Sequence, residues 1–129
     1  MEQSKLTSSE WNVLACLWED SPRTAMQLSA ALEERVGWAR STTITVLHRM
    51  EAKGLVRCEQ KGKSRTYTPM VEREQAEMAE TSSFLDRVYQ GSVGLMISAM
   101  ARKQKLSPEE ITELRSILEE MEEGSGHNG

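Results

Sequence analysis

The hydrophobic pattern of this chain of 129 residues changes its period twice, and this change constrains the fold more than any other feature. Apolar residues recur every three or four positions over residues 7–53, alternate with polar residues over residues 55–68, and return to helical spacing after residue 70. The pattern predicts helices, then the two strands of a hairpin, then helices again. Because a two-stranded hairpin is only marginally stable by itself, we expect it to pack against the helices that precede it.

Local capping signals divide the first helical stretch into three helices. Thr7-Ser8-Ser9-Glu10 and Thr24-Ala25-Met26-Gln27 both have the capping-box pattern, in which the first and fourth side chains satisfy each other's backbone N–H groups. The third helix is predicted from about Ser41 to Lys53, and Gly54 suits a left-handed C-terminal cap.

The predicted hairpin completes a domain of known element order. Its strands are expected at residues 55–59 and 64–68, joined by Gln60-Lys61-Gly62-Lys63. Three short helices followed by a hairpin is the order of a winged helix-turn-helix domain, in which the hairpin forms the wing. The predicted fold is therefore mainly α with a small β-hairpin wing: a winged helix-turn-helix domain at residues 1–69, followed by a helical dimerisation arm.

Residues 70–123 are predicted to form this helical dimerisation domain, and residues 124–129, which have no periodicity, a disordered tail. The helices of the arm carry apolar stripes but are too few to enclose a core, and burying each Leu, Ile or Met is worth roughly 1.5–3 kcal/mol. A second copy of the chain would bury the stripes; the alternative is that the helices pack back onto the winged helix of the same chain. The predicted interface residues are Leu85, Val88, Leu95, Met96, Met100, Leu114, Leu118 and Met121.

The net charge of −4 is unevenly distributed. Residues 1–69 carry ten Lys or Arg and eight Asp or Glu, whereas residues 70–129 carry six and twelve. Residues 53–65 hold five basic residues and one acidic residue. The acidity therefore belongs to the arm, and a local basic patch in the first domain is free to bind phosphates.

The third predicted helix has two faces of different character. Thr43, Val46, Leu47 and Met50 share one side, which we interpret as a core face. The other side is small and polar with a long basic side chain, so it can approach base edges in the major groove of DNA. A solvated helix face without a ligand is the alternative, and the basic hairpin favours DNA. The predicted DNA-binding residues are Arg40, Ser41, Thr42, Thr45, His48, Arg49, Lys53, Lys61, Lys63 and Arg65.

No pattern in the sequence is typical of an enzyme, a cofactor site or a metal site. His48 and His127 are the only histidines, and neither a Gly-rich phosphate loop nor a Cys/His set with metal-ligand spacing occurs. Cys16 is expected to be a small buried hydrophobe, and thiol sensing by Cys58 is the minor alternative to a plain reduced thiol. No apolar run reaches the roughly 20 residues that span a bilayer, so we expect a cytoplasmic protein without membrane insertion.

Three groups of residues carry a resemblance to a known family. They are Leu6-Thr7, Glu10-Trp11, Leu14, Leu17 and Trp18 in the first helix; Thr42, Thr45-Val46-Leu47 and Arg49 in the third; and Lys53-Gly54-Leu55, Gly62, Arg65, Tyr67 and Pro69 around the hairpin. With these residues the chain resembles the penicillinase repressors, the BlaI/MecI/CopY group of bacterial regulators, over about residues 5–122. The resemblance implies a winged helix, a helical dimerisation arm, and repression by dimers on a palindromic operator. It also implies DNA contacts by Ser41, Thr42, Thr45 and Arg49.

The family resemblance also bears on how repression is released. The copper-responsive branch carries a Cys-x-Cys motif near its C-terminus, and this chain has no Cys after Cys58, so copper sensing of that type is not expected. In the β-lactam branch the resemblance implies a membrane sensor metalloprotease as partner. Staphylococcal members are cut at an Asn-Phe bond that aligns with Ile97-Ser98-Ala99-Met100 here. Ser98 and Ala99 are therefore the candidate position for proteolytic release, although the scissile pair itself is not matched.

A winged-helix protein-interaction module that does not bind DNA is the alternative function. The response to salt separates the two, because only phosphate contacts release counterions and give an affinity that falls linearly on a logarithmic salt scale.

Overall fold

The computed structural model describes residues 6–128, with side chains from residue 6 to residue 124. Its helices are α1 (Ser8–Glu19), α2 (Ala25–Val36), α3 (Arg40–Lys53), α4 (Arg73–Tyr89), α5 (Val93–Arg102) and α6 (Pro108–Asn128). Its strands are β1 (Arg23–Thr24), β2 (Val56–Lys61) and β3 (Ser64–Pro69). The predicted fold class, mainly α with a small β wing, is confirmed. The chain divides into two compact units between Thr81 and Ser82, within α4.

The sheet is antiparallel with the order β1-β3-β2. Strands β2 and β3 pair from Val56↔Pro69 to Lys61↔Ser64, so the hairpin turn is only Gly62-Lys63, with Gly62 at a φ of 62°. The predicted four-residue connection was too long, because β2 continues to Lys61, two residues beyond its predicted end, whereas β3 begins at Ser64 as expected. The third strand, β1, was not predicted, because two residues are too few to show a period.

One hydrophobic core lies between the three helices and the sheet of the first unit. Its fully buried apolar residues are Leu14, Leu17, Leu28, Leu32, Leu47, Met50, Val13 and Cys16. The predicted core face of α3 is confirmed, since Thr43, Val46, Leu47 and Met50 are at most 4% exposed. Cys16 is buried as expected, and this burial raises the pKa of its thiol above the ordinary value.

The ends of the first helices have the predicted caps. Thr7 accepts a hydrogen bond from Glu10 N at 3.2 Å, and the Glu10 carboxylate accepts one from Thr7 N at 2.9 Å. The box that begins α2 has the same reciprocal bonds between Thr24 and Gln27, at 2.8 and 3.1 Å. At the far end of α3, Gly54 has a φ of 81°, which is the left-handed cap conformation expected of it.

The second unit has no buried side chain among its described residues, 82–124. Its helices begin at defined caps: Ser92 accepts from Leu95 N at 3.1 Å, and Ser107 forms a capping box with Glu110. Five of the predicted interface residues are 37–63% exposed, and the other three are half-buried. The exposed five are Val88, Leu95, Met100, Leu118 and Met121.

The last helix is longer than expected. Helix α6 continues to Asn128 and so covers most of the segment predicted as a disordered tail; Gly129, like residues 1–5 of the predicted first domain, lies outside the described residues. Gly124 costs the helix roughly 1 kcal/mol relative to Ala but does not prevent its backbone hydrogen bonds. Lack of side-chain periodicity therefore did not end the helix.

Within residues 6–128, no helix combines the length and the hydrophobicity needed to cross a membrane.

Candidate DNA-binding surface

Helix α3 presents a polar face to solvent. Ser41, Thr42, Thr45, His48 and Arg49 are all exposed, whereas Thr43, Val46 and Leu47 between them are buried. The helix begins after Ala39, which provides no side-chain cap, so no capping side chain satisfies the first backbone N–H groups at the positive end of its dipole. The positive end of the helix dipole favours a negatively charged group nearby, such as a phosphate of the DNA backbone.

The first turn of α1 adjoins this face. Ser9 of α1 lines a shallow depression of about 340 Å³ together with residues of α3. The α3 residues are Ser41, Thr42, Thr45, Val46 and Arg49. From the sequence, Ser9 is recognisable only as part of a capping box, because nothing in the linear pattern shows which helix the first turn of α1 will adjoin.

The wing carries the second cluster of exposed polar groups. Lys61, Lys63 and Arg65 are exposed at and beside its turn, and none of them forms an ion pair with another described residue. The neighbouring Cys58 thiol raises the pKa of Arg65 above its ordinary value. At the base of the wing, Arg57 lies 3.5 Å from Glu59, so part of its charge is balanced within the strand. The wing tip is therefore cationic.

Lys53 differs from the other predicted DNA-binding residues because it already has a partner. Its Nζ lies 2.6 Å from Oε2 of Glu10, whose side chain is fully buried. Burial alone would raise the pKa of Glu10, but hydrogen bonds from Lys53 and Thr7 outweigh it, and the pKa lies below the ordinary value. No local sequence pattern indicates this pair, because the two residues are 43 positions apart.

The remaining predicted site residues lie in separate places. Ser98 is exposed in α5, where its hydroxyl accepts a hydrogen bond from Arg102 at 3.1 Å, and Ala99 beside it is half-buried. Cys58 is half-buried on β2, opposite Tyr67 of β3. Among the residues that the structure describes, no group of His, Cys, Asp and Glu is arranged to hold a metal ion.

Comparison with known proteins gives a consistent assignment. The family model for the penicillinase repressor matches residues 6–120. The chain is 26% identical to the methicillin resistance regulatory protein MecI of Staphylococcus aureus (strain N315), over 88% of this chain and 93% of that protein. It is 29% identical to the penicillinase repressor of Bacillus licheniformis, over 90% of this chain and 91% of that protein.

A solved structure supports the fold. The solution structure of the DNA binding domain of the repressor BlaI matches with a TM-score of 0.50 and 23% sequence identity, covering 57% of this chain and 90% of that domain. The winged-helix architecture is thus shared with a DNA-binding domain. The family consists of transcriptional repressors, which are not enzymes. Because the family model matches nearly the whole chain, this protein belongs to the penicillinase repressor family.

Proposed function

We propose that this protein represses transcription by binding a palindromic DNA operator as a homodimer. The observation that carries the proposal is the exposed polar face of α3 beside a cationic wing, both held by a closed hydrophobic core. An α-helix fits the major groove of B-DNA, and hydroxyl and guanidinium groups are suitable donors and acceptors for base edges. A cationic hairpin at one side is suited to the sugar-phosphate backbone.

The exposed residues divide by role. Thr45 and Arg49 stand one turn apart in the middle of α3 and are proposed to contact bases. Ser41, Thr42 and His48 flank them on the same exposed helix surface. Arg40, Lys61, Lys63 and Arg65 are proposed to contact phosphates, which give affinity and orientation without sequence information.

The homodimer is proposed from the second unit. Val88, Leu95, Leu118 and Met121 are each 44–63% exposed in the single chain. Solvation of so many apolar side chains on short helices is unfavourable, and a second copy related by a twofold axis would cover the same stripe on both chains. A twofold dimer presents two copies of α3 and therefore matches an operator with two inverted half-sites.

The named relatives suggest the regulated system. One is a methicillin resistance regulator and another a penicillinase repressor, so we infer that this protein controls genes of a β-lactam response. We propose that it acts in the cytoplasm. A membrane sensor metalloprotease is the proposed releasing partner. Its proposed cleavage position is Ser98–Ala99, in the middle of α5, where a break would divide the arm that carries the dimer interface.

The deciding experiment is selection of bound duplexes from a random DNA pool at moderate salt, with the stoichiometry measured by sedimentation. We expect a palindrome bound by two chains. Recovery of no sequence, with no salt-dependent binding, would refute the proposal and favour the protein-interaction module instead. A palindrome bound by one chain would refute the homodimer alone.

Two variants then test the proposed division between base and phosphate contacts. Thr45→Ala should weaken binding to the selected operator more than binding to random DNA, because it changes a base-facing side chain. Lys61→Ala with Lys63→Ala should weaken binding to both and flatten the salt dependence by about 0.9 per lost phosphate contact. Equal losses for Thr45→Ala on both duplexes would remove that residue from base recognition.

A further inference from the structure

The ion pair between Glu10 and Lys53 joins the two helices that border the candidate DNA surface. Glu10 lies in the first turn of α1, and Lys53 is the last residue of α3. Ser9, the neighbour of Glu10, lines the depression on the exposed face of α3. The first turn of α1 therefore adjoins α3 both at its polar face and, through the ion pair, at its C-terminal end.

Both oxygens of the Glu10 carboxylate are occupied. Oε1 accepts a hydrogen bond from Thr7 N at 2.9 Å, and Oε2 accepts one from Lys53 Nζ at 2.6 Å. The Glu10 side chain has no exposed surface, whereas 43% of the Lys53 side chain is exposed. The pair is therefore asymmetric: Lys53 can reach water, but Glu10 has no access to solvent that could replace its partner.

This asymmetry determines whether Lys53 can also bind a phosphate of DNA. Moving its ammonium group to DNA would leave a buried carboxylate without its cation, and breaking a buried pair in this way is strongly unfavourable. A single exposed phosphate contact, screened by salt and water, offers much less in return. Exchange of Glu10 for a phosphate is therefore unfavourable for Lys53.

We propose that Lys53 is a positioning residue which, with Glu10, fixes α3 on the first turn of α1, and that it is not a phosphate ligand. The proposal rests on the DNA-binding function proposed above. Because the base-facing residues lie on the same rigid helix, a change in the placement of its C-terminal end alters their approach to bases. Phosphate contacts made by the flexible side chains of the wing tolerate such a change better.

The test compares three variants of the full chain on the selected operator and on random duplex, over a range of salt concentrations. Glu10→Gln and Lys53→Met each remove the ion pair, and Lys53→Met keeps most of the aliphatic stem. Lys61→Met is the matched control, with the same substitution on the wing. We expect the two pair variants to lower the ratio of operator affinity to random-DNA affinity by on the order of tenfold, with an unchanged salt slope. The control should leave the ratio of operator affinity to random-DNA affinity unchanged, and the slope of log affinity against log salt should become shallower by about 0.9.

Each other outcome has a defined meaning. A shallower slope for Lys53→Met would place Lys53 on a phosphate and overturn the proposal, as would an unchanged affinity ratio in either pair variant. Wild-type protein that binds neither duplex would instead refute the proposed function, so the two failures are distinguishable.

A measurement on the wild-type chain covers the case in which a pair variant does not fold. Lysine amines are acetylated briefly with and without operator DNA, and the modified positions are counted by mass spectrometry. Lys53 should react equally in both states because its partner is in the protein, whereas Lys61 and Lys63 should be protected only by DNA. Protection of Lys53 by DNA would overturn the proposal.

Discussion

The two compact units of this protein contrast in where they place their apolar side chains. In the first unit Leu14, Leu32 and Leu47 are fully buried among three helices and a sheet. In the second, residues 82–124 contain no buried side chain, and Leu118 and Met121 are 50% and 63% exposed. The first unit contains the elements of a self-sufficient domain, whereas the second has helices whose stabilisation must come from additional contacts.

The largest expected effect is on the second unit, where Leu118→Asp should separate the proposed dimer. Each chain loses the burial of one Leu, worth roughly 1.5–3 kcal/mol, and twofold symmetry counts the loss twice. Since 1.4 kcal/mol is a factor of ten, the dimer should weaken at least about 100-fold. Sedimentation equilibrium measures this. The first unit should remain folded, as judged by its circular dichroism.

Glu119→Ala is the control for this variant, because it changes an adjacent exposed residue on the same helix without touching the apolar stripe. A dimer that persists with Leu118→Asp would show that Leu118 is not part of the dimer interface.

The next largest effect should come from the core of the first unit. Leu47→Ala removes a fully buried side chain of α3 and should lower the free energy of unfolding by about 3 kcal/mol, from lost burial and the cavity left behind. Met26→Ala, at a position that is 66% exposed, should change it by less than about 0.5 kcal/mol. Urea unfolding followed by tryptophan fluorescence measures both. Similar losses would mean that burial does not distinguish the two positions.

Equivalent caps in the two units offer a smaller and more direct comparison. Thr7→Ala and Ser107→Ala each remove one half of a capping box, worth about 1 kcal/mol. The Thr7 box is part-buried and the Ser107 box exposed, so water can replace the lost acceptor only at Ser107. Amide hydrogen exchange should therefore accelerate more in the first turn of α1 than in the first turn of α6. The reverse order would contradict the assigned burial.

The comparison extends to acid pH through Glu10, whose charged form contributes to the stability of the first unit. Its pKa is lower in the folded chain than its ordinary value of 4.5, so its contribution to stability is fully present above about pH 4.5. The contribution is lost as the pH falls through the lowered pKa, because the folded state then takes up the proton that the unfolded state already binds. Unfolding measured from pH 7 to pH 2 should show this loss in the wild type. If Glu10→Gln has the same acid dependence, Glu10 is not its source.

Much of the first unit could be predicted from the sequence because the signals are local. The capping boxes of Thr7 and Thr24, the left-handed Gly54 and the buried side of α3 all depend on residues within a few positions of one another. Strand β1 could not be predicted, because Arg23 and Thr24 become a strand only when β3 lies beside them. The position of Ser9 at the depression on the polar face of α3 has the same origin.

The sequence by itself determined the order of the helices and the hairpin, the exposed polar face of α3 and the basic wing, because helical and strand periods decide which side chains share a face. Only the tertiary structure decided that Lys53 pairs with the buried carboxylate of Glu10. Lysine has the same charge in a solvated wing and in an ion pair, and its role depends on whether a buried acid lies within reach of its ammonium group. That proximity is produced by the packing of α1 against α3. No local sequence pattern predicts it, because the two residues are too far apart in the chain.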